Sequence, residues 1–241
     1  MLAADERTAT PSDAGRGQVA LIRREQAGAT VLLSFSRPPV NAFNAQLVQE
    51  LAAMLQDVAA DPPAGGLVLS GDGGVFSAGI DLKEAPGYSE RQAARATADI
   101  NRALRTLYAL PTATVAAVDG HAIGGGFVMM LACDARIAAD GPAKLALTQV
   151  RTSIAYPEVP LEIVAAELDP GLRRQLMLSG EAIAPALALE RGVIDELHTR
   201  EELIARAVQL ARSRAAAPSY AAVKAQLRRA TLARLDAIAA G

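Results

Sequence analysis

Three consecutive glycines, Gly124-Gly125-Gly126, stand between a strand-like run, Thr114–Val118, and an apolar run, Phe127–Cys133. Backbone stripped of side chains at such a junction suits either close helix-to-sheet packing or close approach to a ligand. Spacing removes the nucleotide-binding versions of this pattern. A dinucleotide fingerprint starting at Gly124 needs glycine where Met129 stands, and a phosphate loop starting at Gly120 needs lysine where Gly126 stands. Two readings remain open. In one, the glycine N–H groups, at the positive end of a helix dipole, face a developing negative charge; in the other, the glycines only let a helix lie close on a sheet.

Composition narrows the chemistry that such a turn can serve. One Cys and two His among 241 residues exclude a disulfide framework and a Cys-rich zinc module, and leave little for a His-rich metal site, so no metal is expected. A net charge of -2 supplies no basic field for nucleic acid, and 3% aromatic residues with no Trp supply no base-stacking platform. The longest apolar run, Ala122 to Cys133, is too short to span a bilayer. Residues 1–18 have no secretory-signal pattern and read as a disordered arm, so a soluble, cytoplasmic protein is expected, with Cys133 a buried thiol.

Short β-branched runs alternate with longer helical patterns, which predicts an α/β body. Val19–Arg23 and Thr30–Phe35 suit a hairpin around Gln26-Ala27-Gly28-Ala29. Asn44 is placed to cap a helix over Ala45–Ala60, and Ser89 or Glu90 opens another toward Leu110. Leu67–Ser70, Ala135–Ala139, Lys144–Ala146 and Val193–His198 read as further strands. Val159–Glu167, Leu172–Leu178, Pro185–Arg191, Glu201–Arg214 and Tyr220–Ile238 read as helices, so a core over 19–180 is expected to be followed by a helical region over 181–241. No fixed-period repeat stands out.

Phe76-Ser77-Ala78-Gly79 has the look of a serine turn, but a nucleophile elbow needs glycine where Val75 stands, and neither His121 nor His198 has a catalytic context. The longer segment is more telling. Phe76-Ser77-Ala78-Gly79-Ile80-Asp81-Leu82-Lys83 resembles the F-S-A-G-x-D-L-K motif of the enoyl-CoA hydratase/isomerase (crotonase) family. Pro111 through Gly126 resembles its P-x-x-A-A-V-x-G-x-A-x-G-G-G segment, Arg37 to Asn44 its R-P-x-x-N-A-L-N loop, and Leu178 to Glu196 its later passage around G-L-V-D. The resemblance implies a spiral of β-β-α units, a helical C-terminal trimerisation region, and a homotrimer or dimer of trimers. It also implies an acyl-CoA thioester ligand, with coenzyme A part of the substrate and no separate cofactor. By position, the backbone N–H groups of Ile80 and Gly125 become the oxyanion donors, and Ala78, Gly79, Ile80, Asp81 and Leu82 line the CoA site.

The pattern breaks where the family's hydratases carry two glutamates. The first position is Val128 and the second aligns with Gln149, and neither side chain accepts a proton at neutral pH. Two-carboxylate hydration is therefore not expected; an isomerase-like or divergent reaction is, with a catalytically silent acyl-CoA-binding homologue as the alternative. Among replacement bases or acids, Glu162 is preferred over Glu158, Asp72, Glu84 and Tyr156, because Leu161-Glu162-Ile163-Val164 sets it in an apolar helix start. The family's terminal E-G-x-x-A-F-x-x-K-R segment is also missing from Ala230 to Ile238, which predicts a more open pocket or one closed by a neighbouring subunit.

Overall fold

Strands that are apolar on both faces need cover on both sides, and the central strands of this chain are of that kind. The computed structural model describes residues 20–152 and 155–240, so the arm expected over 1–18 lies outside the described residues. The chain runs β1 (Ile22–Ala27), β2 (Thr30–Phe35), α1 (Ala45–Ala60), then β3 (Leu67–Gly71), β4 (Val75–Ser77), α2 (Glu90–Ala109). It continues β5 (Thr114–Val118), β6 (His121–Ile123), α3 (Gly125–Leu131), then β7 (Ala135–Ala139), β8 (Leu145–Ala146), α4 (Glu158–Glu167). The order strand-strand-helix thus recurs four times. Strand β2 of the first unit and the leading strands β3, β5 and β7 of the others stand side by side in a parallel array, while β4, β6 and β8 form a second parallel sheet beside it. This is the spiral of β-β-α units. The uneven lengths of the units hide the repeat from any fixed-period search.

The large sheet has the order β1-β2-β3-β5-β7-β9, with β9 (Glu196–His198) at one edge and β1 antiparallel at the other. Successive side chains alternate between its faces. Leu67 and Leu69 of β3 and Ala116 and Val118 of β5 join the main core, whereas Val68, Val115 and Ala117 join a second cluster. That second cluster is closed by Leu203, Ala207, Leu210 and Ala211 of α7 (Arg200–Ala215). The C-terminal region is therefore built into the sheet through β9 and α7. It also holds α6 (Pro185–Glu190) and α8 (Tyr220–Ala240), while α5 (Pro170–Ser179) ends just before it.

The caps follow the sequence. Asn44 accepts a hydrogen bond from the Leu47 N–H, and Ser89, not Glu90, caps α2 in a capping box with Gln92. Three expectations need correction. The first strand runs Ile22–Ala27 because pairing from Ala27 with Thr30 to Ile22 with Phe35 sets its position. The short strands β4 and β6 were hidden beside the glycines at 73–79 and 120–126, since segments this brief exist only through pairing within the small sheet. The apolar run from Phe127, which reads as a buried helix, belongs to a helix that begins at Gly125 and so takes in two of the three glycines.

A buried ionic cluster ties α8 to the core. The Asp134 carboxylate lies 2.9 Å from Lys224 Nζ and 3.0 Å from the Arg228 guanidinium, and it accepts from Tyr220 Oη and the Thr114 N–H. Arg228 also donates to the Tyr108 carbonyl and stacks 3.8 Å over the Tyr108 ring. Removing the anion leaves the buried Lys224 without its counter-charge and Arg228 with only the more distant Glu167, at 3.7 Å. Asp134→Ala is expected to lower unfolding free energy by about 3–5 kcal/mol in urea denaturation.

At the sheet edge, Glu196 accepts two hydrogen bonds from Arg206 and one contact from His198, all at 2.7 Å. Arg206, above all, pulls the Glu196 carboxyl down to about 2 from its ordinary 4.5. A depressed carboxylate contributes stability above its unfolded pKa, and that contribution fades as pH falls through the folded value. Between about pH 4.5 and 2 the wild-type protein should therefore lose more stability than Glu196→Gln, as read from denaturation midpoints across that range.

Candidate functional site

The two glycine turns meet where β4 and β6 pair. Gly79 has φ +77°, and a Cβ placed on it would lie 2.6 Å from the Ile123 carbonyl oxygen and 2.7 Å from the Gly125 nitrogen. A Cβ on Gly126 would lie 2.5 Å from the Ser77 carbonyl oxygen. Only side-chain-free backbone allows this approach. The Ser77 hydroxyl fastens it, donating to the Asn41 carbonyl at 2.8 Å and accepting the Gly79 N–H at 3.0 Å. Fully buried and engaged in this way, Ser77 is scaffold. His121 accepts the Lys144 N–H and His198 is held by Glu196, so the serine-triad reading gains no geometry. Cys133 is likewise buried, and burial pushes its thiol up to about 12.

The ladder then decides which way one N–H points. Phe43 bonds the flanking residues, its N–H to the Gly79 carbonyl and its carbonyl to the Asp81 N–H, so the Ile80 N–H faces away from that strand. Among the described residues, neither the Ile80 nor the Gly125 N–H has a hydrogen-bond partner. Both residues border one cavity of about 240 Å³. Ala78, Ile80 and Leu82 line it, while Gly79 and Asp81 do not. Asp81 instead turns to Arg37 at 2.7 Å and accepts the N–H groups of Lys83 and Glu84. Burial raises its carboxyl pKa, but those hydrogen bonds outweigh it and hold the group below the ordinary range.

The walls are mostly apolar. Val48 from α1, a stripe of Ala93, Ala96, Thr97, Ile100 and Leu104 from α2, and Pro160 from α4 enclose the cavity. The α2 stripe has helical spacing, a signal already present in the sequence whose destination only packing reveals. Val128 and Gln149, the two positions of interest, stand on the same wall system as Ile80 and Gly125. Asn44 and Tyr88 add polar groups near the rim, where Tyr88 Oη accepts the Ala45 N–H at 2.9 Å.

Among the described residues, none that lines the cavity is Asp, Glu or His. Glu162, expected to point inward, pairs with Arg234 of α8 instead. Helical rotation explains the correction: Glu162 stands roughly 200° around α4 from the cavity-lining Pro160. Glu84 is engaged by Arg37 and Asn44, Asp72 by Arg23, and Glu158 does not line the cavity. Tyr156 is outside the lining too; burial pushes its phenol pKa up, and its oxygen has no partner among the described residues.

A family model for enoyl-CoA hydratase/isomerase matches residues 25–240. The chain belongs to this family. It is 29% identical over 237 residues to human mitochondrial enoyl-CoA delta isomerase 1, covering 95% of this chain and 78% of that protein. It is 30% identical over 200 residues to a probable enoyl-CoA hydratase of Mycobacterium avium, covering 83% of this chain and 77% of that one. The crystal structure of human mitochondrial delta3-delta2-enoyl-CoA isomerase superposes with a TM-score of 0.83, at 29% identity over 90% of this chain and 87% of that chain. Similarity to proteins named isomerase and hydratase alike sets the family of this crotonase-fold chain and leaves its reaction to the site.

The backbone approach at Gly79 yields a direct test of the scaffold. Gly79→Ala forces a side chain into left-handed backbone and against Ile123 and Gly125. It is expected to cost about 1–3 kcal/mol of stability by urea denaturation.

Proposed function

We propose that this protein binds an acyl-CoA thioester, with the thioester oxygen between the N–H groups of Ile80 and Gly125 and the acyl group in the apolar cavity. The observation that carries this reading is the pair of unengaged N–H groups on a largely apolar wall. A carbonyl oxygen that gains enolate character is stabilised by two such preorganised donors, and loss of one donor typically costs ~2.7–4 kcal/mol in the transition state. Ala78 and Leu82, on either side of Ile80 in the lining, would flank the CoA arm. The cavity is smaller than the roughly 300–1,000 Å³ of sites for whole drug-sized ligands, which suits the thioester end of a large ligand.

The reaction follows from what the walls contain. Val128 and Gln149 replace the two carboxylates that hydration would use, so the reading is an isomerase-like or divergent reaction through an enolate. The chain's own contribution is charge stabilisation at the oxygen. No side-chain carboxylate or imidazole among the described lining residues is placed to take the α-proton. That same observation favours a second reading, a catalytically silent homologue that binds acyl-CoA and goes no further.

Deuterium exchange at the α-carbon separates the two. The protein is incubated in deuterated water with butyryl-CoA and with a 3-enoyl-CoA, and thioester binding is measured in parallel. Exchange supports the enolate-forming enzyme; binding without exchange supports the silent homologue; absence of binding overturns both. Gly125→Ala sharpens the assay. Its added Cβ meets Phe43, Gly79 and Ile80 only at 3.5–3.7 Å, ordinary contact distances, so the fold is expected to persist. The methyl group would stand 3.7 Å from the Ile80 nitrogen, crowding the proposed oxygen position. Thioester affinity or exchange should fall at least about tenfold, while the urea midpoint changes little.

A further inference from the structure

The two N–H groups without partners among the described residues come from segments far apart in the chain, and Phe43 stands beside both. A peptide unit is planar and trans, so its N–H points opposite to its carbonyl. The hydrogen bond from the Phe43 N–H to the Gly79 carbonyl, at 2.7 Å, therefore aims the Ile80 N–H, which shares that peptide plane. The Phe43 ring faces the second donor. A Cβ built on Gly125 would lie 3.5 Å from Phe43 Cδ2, so the ring and Gly125 are separated by about the width of a methyl group. Phe43 also lines the cavity.

Neither half of Phe43 is free to drift. Its ring meets Phe35 edge-on at 5.3 Å, and Phe35 meets Phe76 in the same manner at 5.5 Å, with all three side chains buried. The loop that carries it is pinned by Asn41, whose side-chain amide donates to the Asp72 and Val75 carbonyls and accepts the Arg37 N–H.

We infer that Phe43 is a positioning residue that sets the spacing of the two donors, its backbone aiming the Ile80 N–H and its ring fixing how near Gly125 can come. This inference rests on the acyl-CoA reading above and adds to it the group that keeps the pair matched to one oxygen. Donors of this kind serve a reacting atom only when packing holds them to within roughly 0.5 Å of the productive geometry. A buried ring with two rotatable bonds, wedged between Phe35 and the Gly125 turn, supplies that constraint. The motif that residues 37–44 resemble has leucine where Phe43 stands, so the ring is a feature of this chain.

Infrared difference spectra of butyryl-CoA bound to the full chain, with a heavy-carbon label at the thioester carbonyl, test the assignment, because hydrogen bonds to that oxygen lower its stretching frequency. The wild-type complex is expected to show one band, shifted down from that of the free thioester. Phe43→Ala should lose about half or more of that shift and broaden the band, and Phe43→Leu should fall between the two. Leu55→Ala is the control. Leu55 is fully buried in α1 and outside the cavity lining, so its truncation should lower the urea midpoint and leave the shift unchanged. A wild-type shift in both Phe43 variants overturns the inference, and so does an equal loss of shift in Leu55→Ala, which would mark Phe43 as core packing alone. If Phe43→Ala does not fold, Phe43→Leu decides. Failure of the wild-type protein to bind butyryl-CoA, or a bound band without a shift, is a different result, for it removes the acyl-CoA reading or its oxygen position and the inference falls with it.

Discussion

Two backbone turns approach each other more closely than side chains would permit, and the rest of the site depends on that approach. Gly79 lies against Ile123 and Gly125, and Gly126 lies against Ser77. The contact is possible because β4 and β6 are neighbours in the small sheet while β3 and β5, which precede them in the chain, are neighbours in the large one. Successive turns of the spiral thus deliver equivalent strand ends to the same place. The Ile80 N–H is turned outward by the ladder to Phe43, and the Gly125 N–H at the start of α3 has no partner among the described residues.

Around this fixed pair the chain divides its labour between layers. The doubly covered sheet holds the turns in register, with the main core on one face and α7 on the other. Helix α2 brings the apolar stripe that closes the cavity, and the Asp134 cluster anchors α8 behind α3 and β5. Reactive side chains are scarce in the sequence, with two His and one Cys. That scarcity is compatible with the proposed device, because backbone N–H groups do the stabilising. The carboxylates that the chain does possess near the rim are engaged with arginines, as with Asp81 and Glu84 against Arg37.

Much of this was legible before any coordinates. The glycine turns and the strip Ala78 to Leu82 are local patterns, and the family resemblance tied them together although they lie far apart in the chain. The helix over Ala45–Ala60 and its Asn44 cap follow from local spacing and hydrogen bonding, which act within a few residues. Glu162 was less accessible. An apolar start to α4 says that the helix is partly buried, but the direction of each face depends on what packs there, and α8 supplied Arg234 on the side where the carboxylate points. Likewise, the period of the α2 stripe is visible in the sequence, while its role as cavity wall is not.

Local chemistry in the sequence by itself determined the positive-φ and close-approach glycines, the doubly apolar strands, and the absence of carboxylates at positions 128 and 149. These are properties of single residues and near neighbours. Only the tertiary structure decided that Ile80 and Gly125 share a cavity, that Asp81 turns away from it, and that Gln149 borders it. Each of these depends on which segments pair across long stretches of chain, and pairing of that kind is settled by the packing of the whole molecule.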